Sequence, residues 1–418
     1  MTQPHADRVC PSLAIYYARP VLMGGGERQW AEELRAFRAA RVCAKGAMHE
    51  ASRKVLDQLS LDDDHVELLA GRGGLQRMRG LRRWLLAAHP RLLVSYTSPE
   101  LTYLAALGTG VPCVLYLNDP FFYNSYAANP YPFALQHRAV YRELAASAPG
   151  YLEFASPPEK LRPFQRLRLE ARAFLRSIAI RNAAAVIVLS NRAAAELKSV
   201  YGITATVVRG CLDERLASHA PRLDVRAAHG LGGKPLFVSI SRLDPLKRVD
   251  LVIRAFAELC AAVPNATLLI GGTGSDEALL HRLACELGVS DQVIFTGYLG
   301  QDVVWDYYAA ADVFVAPAVG DFNIAPYEAL ALGRKVVLAV DLEIEDWISD
   351  SGWIYRAWPT TSAFARAMLA ALSSPGPSAL DLSSLTWSAR VRKLLPCFET
   401  IAGGPLAPPA FAQIHAHG

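Results

Sequence analysis

The feature that most narrows the fold of this chain is an alternation. Short runs rich in β-branched and other apolar residues are followed by helical patterns, and the cycle repeats along most of the 418 residues. Strands that run parallel need a long crossover between them, usually a helix, so the pattern predicts doubly wound parallel sheets covered by helices. Strands are predicted at Ser12–Ala18, His65–Ala70, Leu92–Tyr96, Cys113–Leu117, Ala185–Ser190 and Thr206–Arg209, with helices near Glu27–Ala39, Leu75–Ala88, Pro99–Leu107, Arg166–Asn182 and Arg192–Tyr201. A polar stretch from Asp213 to Lys234 interrupts the cycle. It restarts with strands at Leu236–Ile240, Thr267–Ile270, Val293–Phe295, Val313–Ala316, Val336–Val340 and Trp353–Tyr355. The helix predicted over Arg248–Cys260 sets Val249, Val252, Phe256 and Leu259 in one buried stripe.

Two consecutive α/β halves are therefore expected. The N-terminal half covers 1–213, a linker 214–234, and the C-terminal half 235–402, with a helix near 387–400 packing back on the first half and a mobile tail over 403–418. No repeat of solenoid period is present. The net charge of +4 argues against a dedicated nucleic-acid binder. The seven cysteines are scattered without a C-x-x-C pair, which suggests neither a zinc site nor a disulfide framework and fits a reducing, cytoplasmic setting. Met1–Cys10 lacks the apolar core of a signal peptide, and no run approaches the length of a membrane span. Two arginine-rich stretches, Arg72–Arg83 and Lys160–Arg181, read first as solvated helix faces and second as surfaces that lie on an anionic membrane or receive an anionic acceptor.

Three segments carry chemistry. Ser239–Lys247 ends a strand and opens a helix, which puts Arg242 and Lys247 where a doubly wound sheet binds ligands; two cations beside a helix N-terminus suit a diphosphate. Leu269–Glu277 runs through Gly272-Thr273-Gly274, where backbone can approach a ligand and Ser275 or Asp276 can cap the next helix. Glu277 stands where a dinucleotide fingerprint needs its third glycine, so an oxidoreductase is remote. In Asp312–Val337, a strand leads to the loop Val319–Ala325 and a helix expected from Pro326, leaving the amides of Phe322, Asn323, Ile324 and Ala325 to face an anion. Glu328, expected in that helix's first turn, is placed to accept two ribose hydroxyls or simply to favour the helix dipole.

Together these segments resemble the nucleotide-sugar-binding half of the retaining glycosyltransferases of family 4, which have the GT-B fold of two Rossmann-like domains facing a central cleft. Gly297-Tyr298, Ala311-Asp312, Pro326, Glu328-Ala329 and Gly333 fall in the family's order, and Gly24-Gly25-Gly26-Glu27-Arg28 is similar to its N-terminal glycine-rich loop. The resemblance implies that Arg242 and Lys247 grip the leaving diphosphate and that Glu328 holds the ribose. It places the loop Phe322–Ala325 at phosphate and sugar, the backbone near Tyr298 and Leu299 at the base, and Gly25, Gly26 and Gly272 among the substrate contacts. No metal and no cofactor are implied, because cations and helix ends neutralise the leaving group.

Two departures stand out. Gly320 occupies the place of the first of the family's two glutamates, with Asp321 beside it as a candidate substitute. Where the family often has a histidine after the strand Cys113–Leu117, this chain has Asn118-Asp119-Pro120, and asparagine carries no proton near neutral pH. Asn118, Asp119 and Asp321 are thus the catalytic candidates. The aromatic segment Tyr116–Tyr141 reads as an acceptor platform or as a packed insertion, and Asp62-Asp63-Asp64 as a solvated turn. The expected activity is hexosyl transfer from a nucleotide diphosphate sugar, first GDP-mannose and then UDP-hexose, to a glycan, lipid-linked or small-molecule acceptor. The alternative is a catalytically silent member that binds nucleotide sugar as a scaffold.

Overall fold

The computed structural model describes residues 11–18, 25–49, 56, 61, 64–117, 162–209, 212–300, 303–320, 322–376 and 380–407. They fall into two units, one within Met1–Ser147, Ala155–Arg209 and Trp387–Gly418, the other within Ala148–Phe154 and Gly210–Thr386. Asn118, Asp119, Asp321, Asp62, Asp63 and the aromatic segment beyond Leu117 lie outside the described residues.

The first unit holds β1 (Leu13–Tyr16), α1 (Gly25–Ala39), β2 (Ala44–His49), β3 (Val66–Leu69), α2 (Gly74–Ala88), β4 (Leu92–Ser95), α3 (Pro99–Ala106), β5 (Cys113–Leu117), α4 (Pro163–Arg181), β6 (Ala185–Val188), α5 (Asn191–Tyr201) and β7 (Thr206–Val207). Its parallel sheet has the order β3-β2-β1-β4-β5-β6-β7. Both faces are covered, so the strands read as continuous apolar runs. Leu13, Ile15, Val94, Val114 and Ile187 pack with Trp30, Leu34 and Phe37 of α1, while Ala14, Tyr16 and Leu93 pack with Leu81, Trp84 and Leu85 of α2.

Strand β2 had no counterpart among the predicted strands. Its residues Ala44, Lys45, Gly46, Ala47, Met48 and His49 include no β-branched side chain. Context makes it a strand: β1 and β3 bond it on either side, and a Cβ on Gly46 would lie 2.7 Å from the Trp30 ring. The absent side chain is what lets the indole pack there. His49 closes the strand with Nε2 3.0 Å from the Tyr16 hydroxyl, and burial pushes its pKa down.

The last helix, Trp387–Ile401, also belongs to this unit. Phe398 stacks on Phe37 of α1 at 5.6 Å. Arg390 Nε donates to Glu33 Oε2 at 2.8 Å, Tyr116 donates to the other carboxylate oxygen at 2.6 Å, and the guanidinium also bonds the carbonyls of Val208 and Arg209. Both charged side chains are fully buried. The stretch 403–407, expected to be mobile, is packed: Leu406 is buried, its amide bonds Glu399, and its carbonyl accepts from Ser12. The apolar Leu406 side chain, invisible in a count of prolines, is the anchor.

The second unit holds α6 (Val225–Ala228), β8 (Leu236–Ile240), α7 (Val249–Leu259), β9 (Thr267–Gly271), α8 (Glu277–Glu286), β10 (Val293–Gly297), α9 (Val304–Ala310), β11 (Val313–Ala316), α10 (Ile324–Ala331), β12 (Lys335–Ala339), α11 (Asp346–Ser349), β13 (Ile354–Ala357) and α12 (Thr361–Ser373). The parallel order is β10-β9-β8-β11-β12-β13. Helix α7 buries Val249, Val252, Phe256 and Leu259, the stripe predicted from spacing, against Phe237, Leu268 and Phe364. The fold class is α/β with two doubly wound parallel sheets, as the alternation required. Among the described residues no helix is long and apolar enough to cross a membrane.

Candidate functional site

Where crossovers leave a parallel sheet in opposite directions, a crevice opens at the carboxyl ends of the diverging strands. In the second unit that point lies between β8 and β11. Three loops from adjacent strand ends, and a fourth after β10, therefore bring together Arg242 and Lys247, Gly272, Leu299, and the segment from Phe322 to Glu328.

After β8, Arg242 is 61% exposed, with its guanidinium 3.4 Å from Asp244. Pro245–Lys247 forms a single 3₁₀ turn that leaves Lys247 half-buried. Arg248 behaves differently. It is buried, takes a left-handed conformation with φ 48° at the start of α7, and binds Asp341 at 2.7 Å beyond β12 and the Pro317 carbonyl beyond β11. With the bond from Val319 N–H to the Leu246 carbonyl at 3.1 Å, it ties the switch-point loops together. The sequence reading missed Arg248, because nothing in the pair Lys247-Arg248 says which cation turns inward.

The glycines after β9 do allow close approach, and the partner that approaches is the neighbouring loop. A Cβ on Gly272, at φ 123°, would fall 1.8 Å from the Ser241 carbonyl, and one on Gly274 would fall 2.1 Å from the Leu243 carbonyl. The capping expected of Ser275 or Asp276 is not made: Ser275 donates to Asp276, and Asp276 has a near-helical backbone where a capping residue needs an extended one. Leu299 lies over the end of β9, since a Cβ on Gly271 would sit 2.8 Å from its Cδ1. Tyr298 beside it is 65% exposed.

The third loop corrects the sequence reading in two respects. Helix α10 begins at Ile324, so Pro326 is its third residue, a position whose N–H would also have no partner within the helix. Asn323 is the cap, and its side chain accepts from the Ala325 amide at 3.3 Å, so that amide is engaged and does not face a ligand. Glu328 consequently lies beyond the first turn and is only 1% exposed, with Trp305 Nε1 donating to its Oε1 at 3.2 Å. Trp305, which bonds Glu328, lies on another helix and carries no signal in the motif. Phe322 is half-buried with its ring 5.1 Å from Tyr327. Gly320 adopts φ 159°, so a glutamate restored there would meet open space but a strained backbone.

In the first unit, Gly25 and Gly26 begin α1 at the carboxyl end of β1, which adjoins that sheet's own switch point. A Cβ on Gly26 would come within 3.2 Å of the Tyr17 hydroxyl, which donates to Glu27 at 3.1 Å. Ser190 caps α5 by accepting from Ala193 N–H at 2.9 Å. Among the described residues, no group of three or more His, Cys, Asp or Glu is arranged to hold a metal.

Comparison with known proteins bears on the family and the fold. Residues 222–383 match the family described as glycosyl transferases group 1. A GDP-mannose-dependent alpha-(1-6)-phosphatidylinositol monomannoside mannosyltransferase of Mycolicibacterium smegmatis is 38% identical over 124 residues, 28% of this chain and 32% of that protein. A D-inositol 3-phosphate glycosyltransferase 2 of Catenulispora acidiphila is 37% identical over 130 residues, 28% of this chain and 30% of that one. The chain spans about a third of the length of these relatives. Among solved structures, sucrose-phosphate synthase of Thermosynechococcus elongatus aligns with a TM-score of 0.68 at 17% identity, covering 93% of this chain and 96% of that one. Anabaena HepE with UDP and glucose aligns with a TM-score of 0.63 at 17% identity, covering 95% and 96%. These likenesses establish the GT-B fold.

Proposed function

Taking residues 222–383 as a glycosyl transferases group 1 domain, we propose that this chain is a metal-independent hexosyltransferase. It moves a hexosyl unit from a nucleotide diphosphate sugar to an acceptor hydroxyl with retention at the anomeric carbon. What supports this reading is the strand order, which sets the loops carrying Arg242, Lys247 and the N-terminus of α10 after the neighbouring strands β8 and β11. Arginine offers a fork of donors, lysine a point charge and the helix end a partial positive charge, which together suit a departing diphosphate. The leaving phosphate takes the acceptor's proton, so Asn118 in place of a histidine is compatible with transfer. Glu328 accepts the ribose hydroxyls of the donor.

GDP-mannose is the first donor, in keeping with the mannosyltransferase relative, and UDP-hexoses follow. The acceptor is a glycan, a lipid-linked sugar or a small molecule. Helix α4 adds a specific observation: Phe164, Leu167 and Phe174 are exposed on the side opposite buried Leu169, Ala173 and Ile180, with exposed Arg168 next to Phe164. That combination favours peripheral contact with an anionic membrane. Incubation with a panel of nucleotide sugars, with and without acceptor and with chelator throughout, tests the reading. Release of nucleoside diphosphate that rises with acceptor supports it. Binding without release from any donor favours the scaffold alternative, and a strict need for a divalent ion contradicts it.

A further inference from the structure

Glu328 is an acidic side chain in an apolar interior, and such a group needs donors to hold its charge. One comes from Trp305, the second residue of α9, itself buried. The indole N–H is a donor only, and it holds one carboxylate oxygen, Oε1. Two further side chains pack on the indole. The His219 ring stands edge-on to it at 5.5 Å, and the Arg215 guanidinium lies 5.9 Å from its centroid. The next residue, Asp306, is fully buried and anchors the start of α9: His219 Nε2 lies 2.8 Å from Oδ1, and the amides of Arg222 and Leu223 donate to Oδ2 at 3.2 and 3.0 Å.

We propose that Trp305 is a positioning residue, which orients the Glu328 carboxylate toward the donor's ribose hydroxyls while Asp306 and His219 lock the indole. This rests on the reading of Glu328 given above. Trp305 does not touch the nucleotide; it acts through the carboxylate.

The test compares GDP with 2′,3′-dideoxy-GDP by calorimetric titration, so that ribose recognition is read apart from general binding. Wild type prefers GDP. Trp305→Phe is expected to reduce that preference about tenfold or more and to leave dideoxy-GDP binding within about twofold. Adding Trp305→Phe to Glu328→Ala should cost nothing further, and Trp305→Gln, which keeps N–H donors, should restore part of the preference. An unchanged preference in Trp305→Phe, with Glu328→Ala abolishing it, overturns the proposal alone. Equal weakening of both nucleotides also overturns it, since the indole would then be structural. A preference that survives Glu328→Ala overturns the ribose reading and the proposal together. Should Trp305→Phe fail to fold, His219→Phe loosens the clamp while leaving Trp305 and Glu328 themselves unchanged, and an undiminished preference there is again a contradiction.

Discussion

The two sheets use their arginines in opposite ways. In the first unit Arg390 is fully buried, and its hydrogen bonds run to Glu33 and to the carbonyls of Val208 and Arg209. In the second unit Arg242 stands largely exposed at a switch point, beside Asp244 at a long 3.4 Å. Arg248 shows that the second unit also has an internal tie, set six residues beyond Arg242. A cation buried against a carboxylate and backbone carbonyls holds a fold together, whereas an exposed one at a strand end is available to an anion. The difference lies in burial and partners, not in residue type.

The sharpest way to break that comparison is to remove the buried cation. Arg390→Met leaves Glu33 charged without its ion-pair partner, and should cost about 3–5 kcal/mol in urea denaturation, with much of it recovered by adding Glu33→Gln. A loss no greater than that of a surface substitution would show that the pair does not hold the unit. Next in size, Arg242→Ala and Lys247→Ala should each weaken nucleoside diphosphate binding by about 1.5–3 kcal/mol. Arg242→Ala should change stability by no more than about 0.5 kcal/mol. Matching losses of stability and binding would erase the distinction between the two arginines.

Gly272→Ala sharpens the second unit's side of the contrast. The new Cβ collides with the Ser241 carbonyl at a positive φ, so a stability loss of about 1–3 kcal/mol is expected, and it should be accompanied by weaker nucleotide binding as the Arg242 loop is displaced. The smallest effect is a pH dependence of the first unit. Burial holds the folded His49 pKa below the ordinary value near ~6.5, so its contribution to stability is complete above that value and is lost as pH falls through the lowered one. Denaturation midpoints followed downward from neutral pH should flatten in His49→Gln, and an identical slope in both proteins would assign the acid sensitivity elsewhere.

The parts of the molecule legible in the sequence are those set by local pattern. The apolar stripe of α7 and the strands around the second switch point follow from periodicity, and the order of strand ends follows from parallel topology. Strand β2 did not, because its neighbours and the Trp30 ring impose it on residues with little strand preference. The start of α10 is not legible from Pro326, because Asn323 supplies the cap and the helix opens two residues before the proline. What Glu328 touches was beyond reach for another reason: Trp305 is twenty-three residues away along the chain and meets it only through packing. Motif spacing names a carboxylate, but it does not name the group that aims it.

The most direct test of the central claim is a calorimetric titration of GDP, in chelator, into wild type and the Arg242→Ala/Lys247→Ala double variant. The account predicts saturable binding to wild type and at least about a hundredfold loss in the double variant, the sum of two charge-assisted contacts. Absence of binding to wild type by GDP and UDP alike, or equal affinity in the double variant, would contradict the assignment of this switch point as a nucleotide-sugar site.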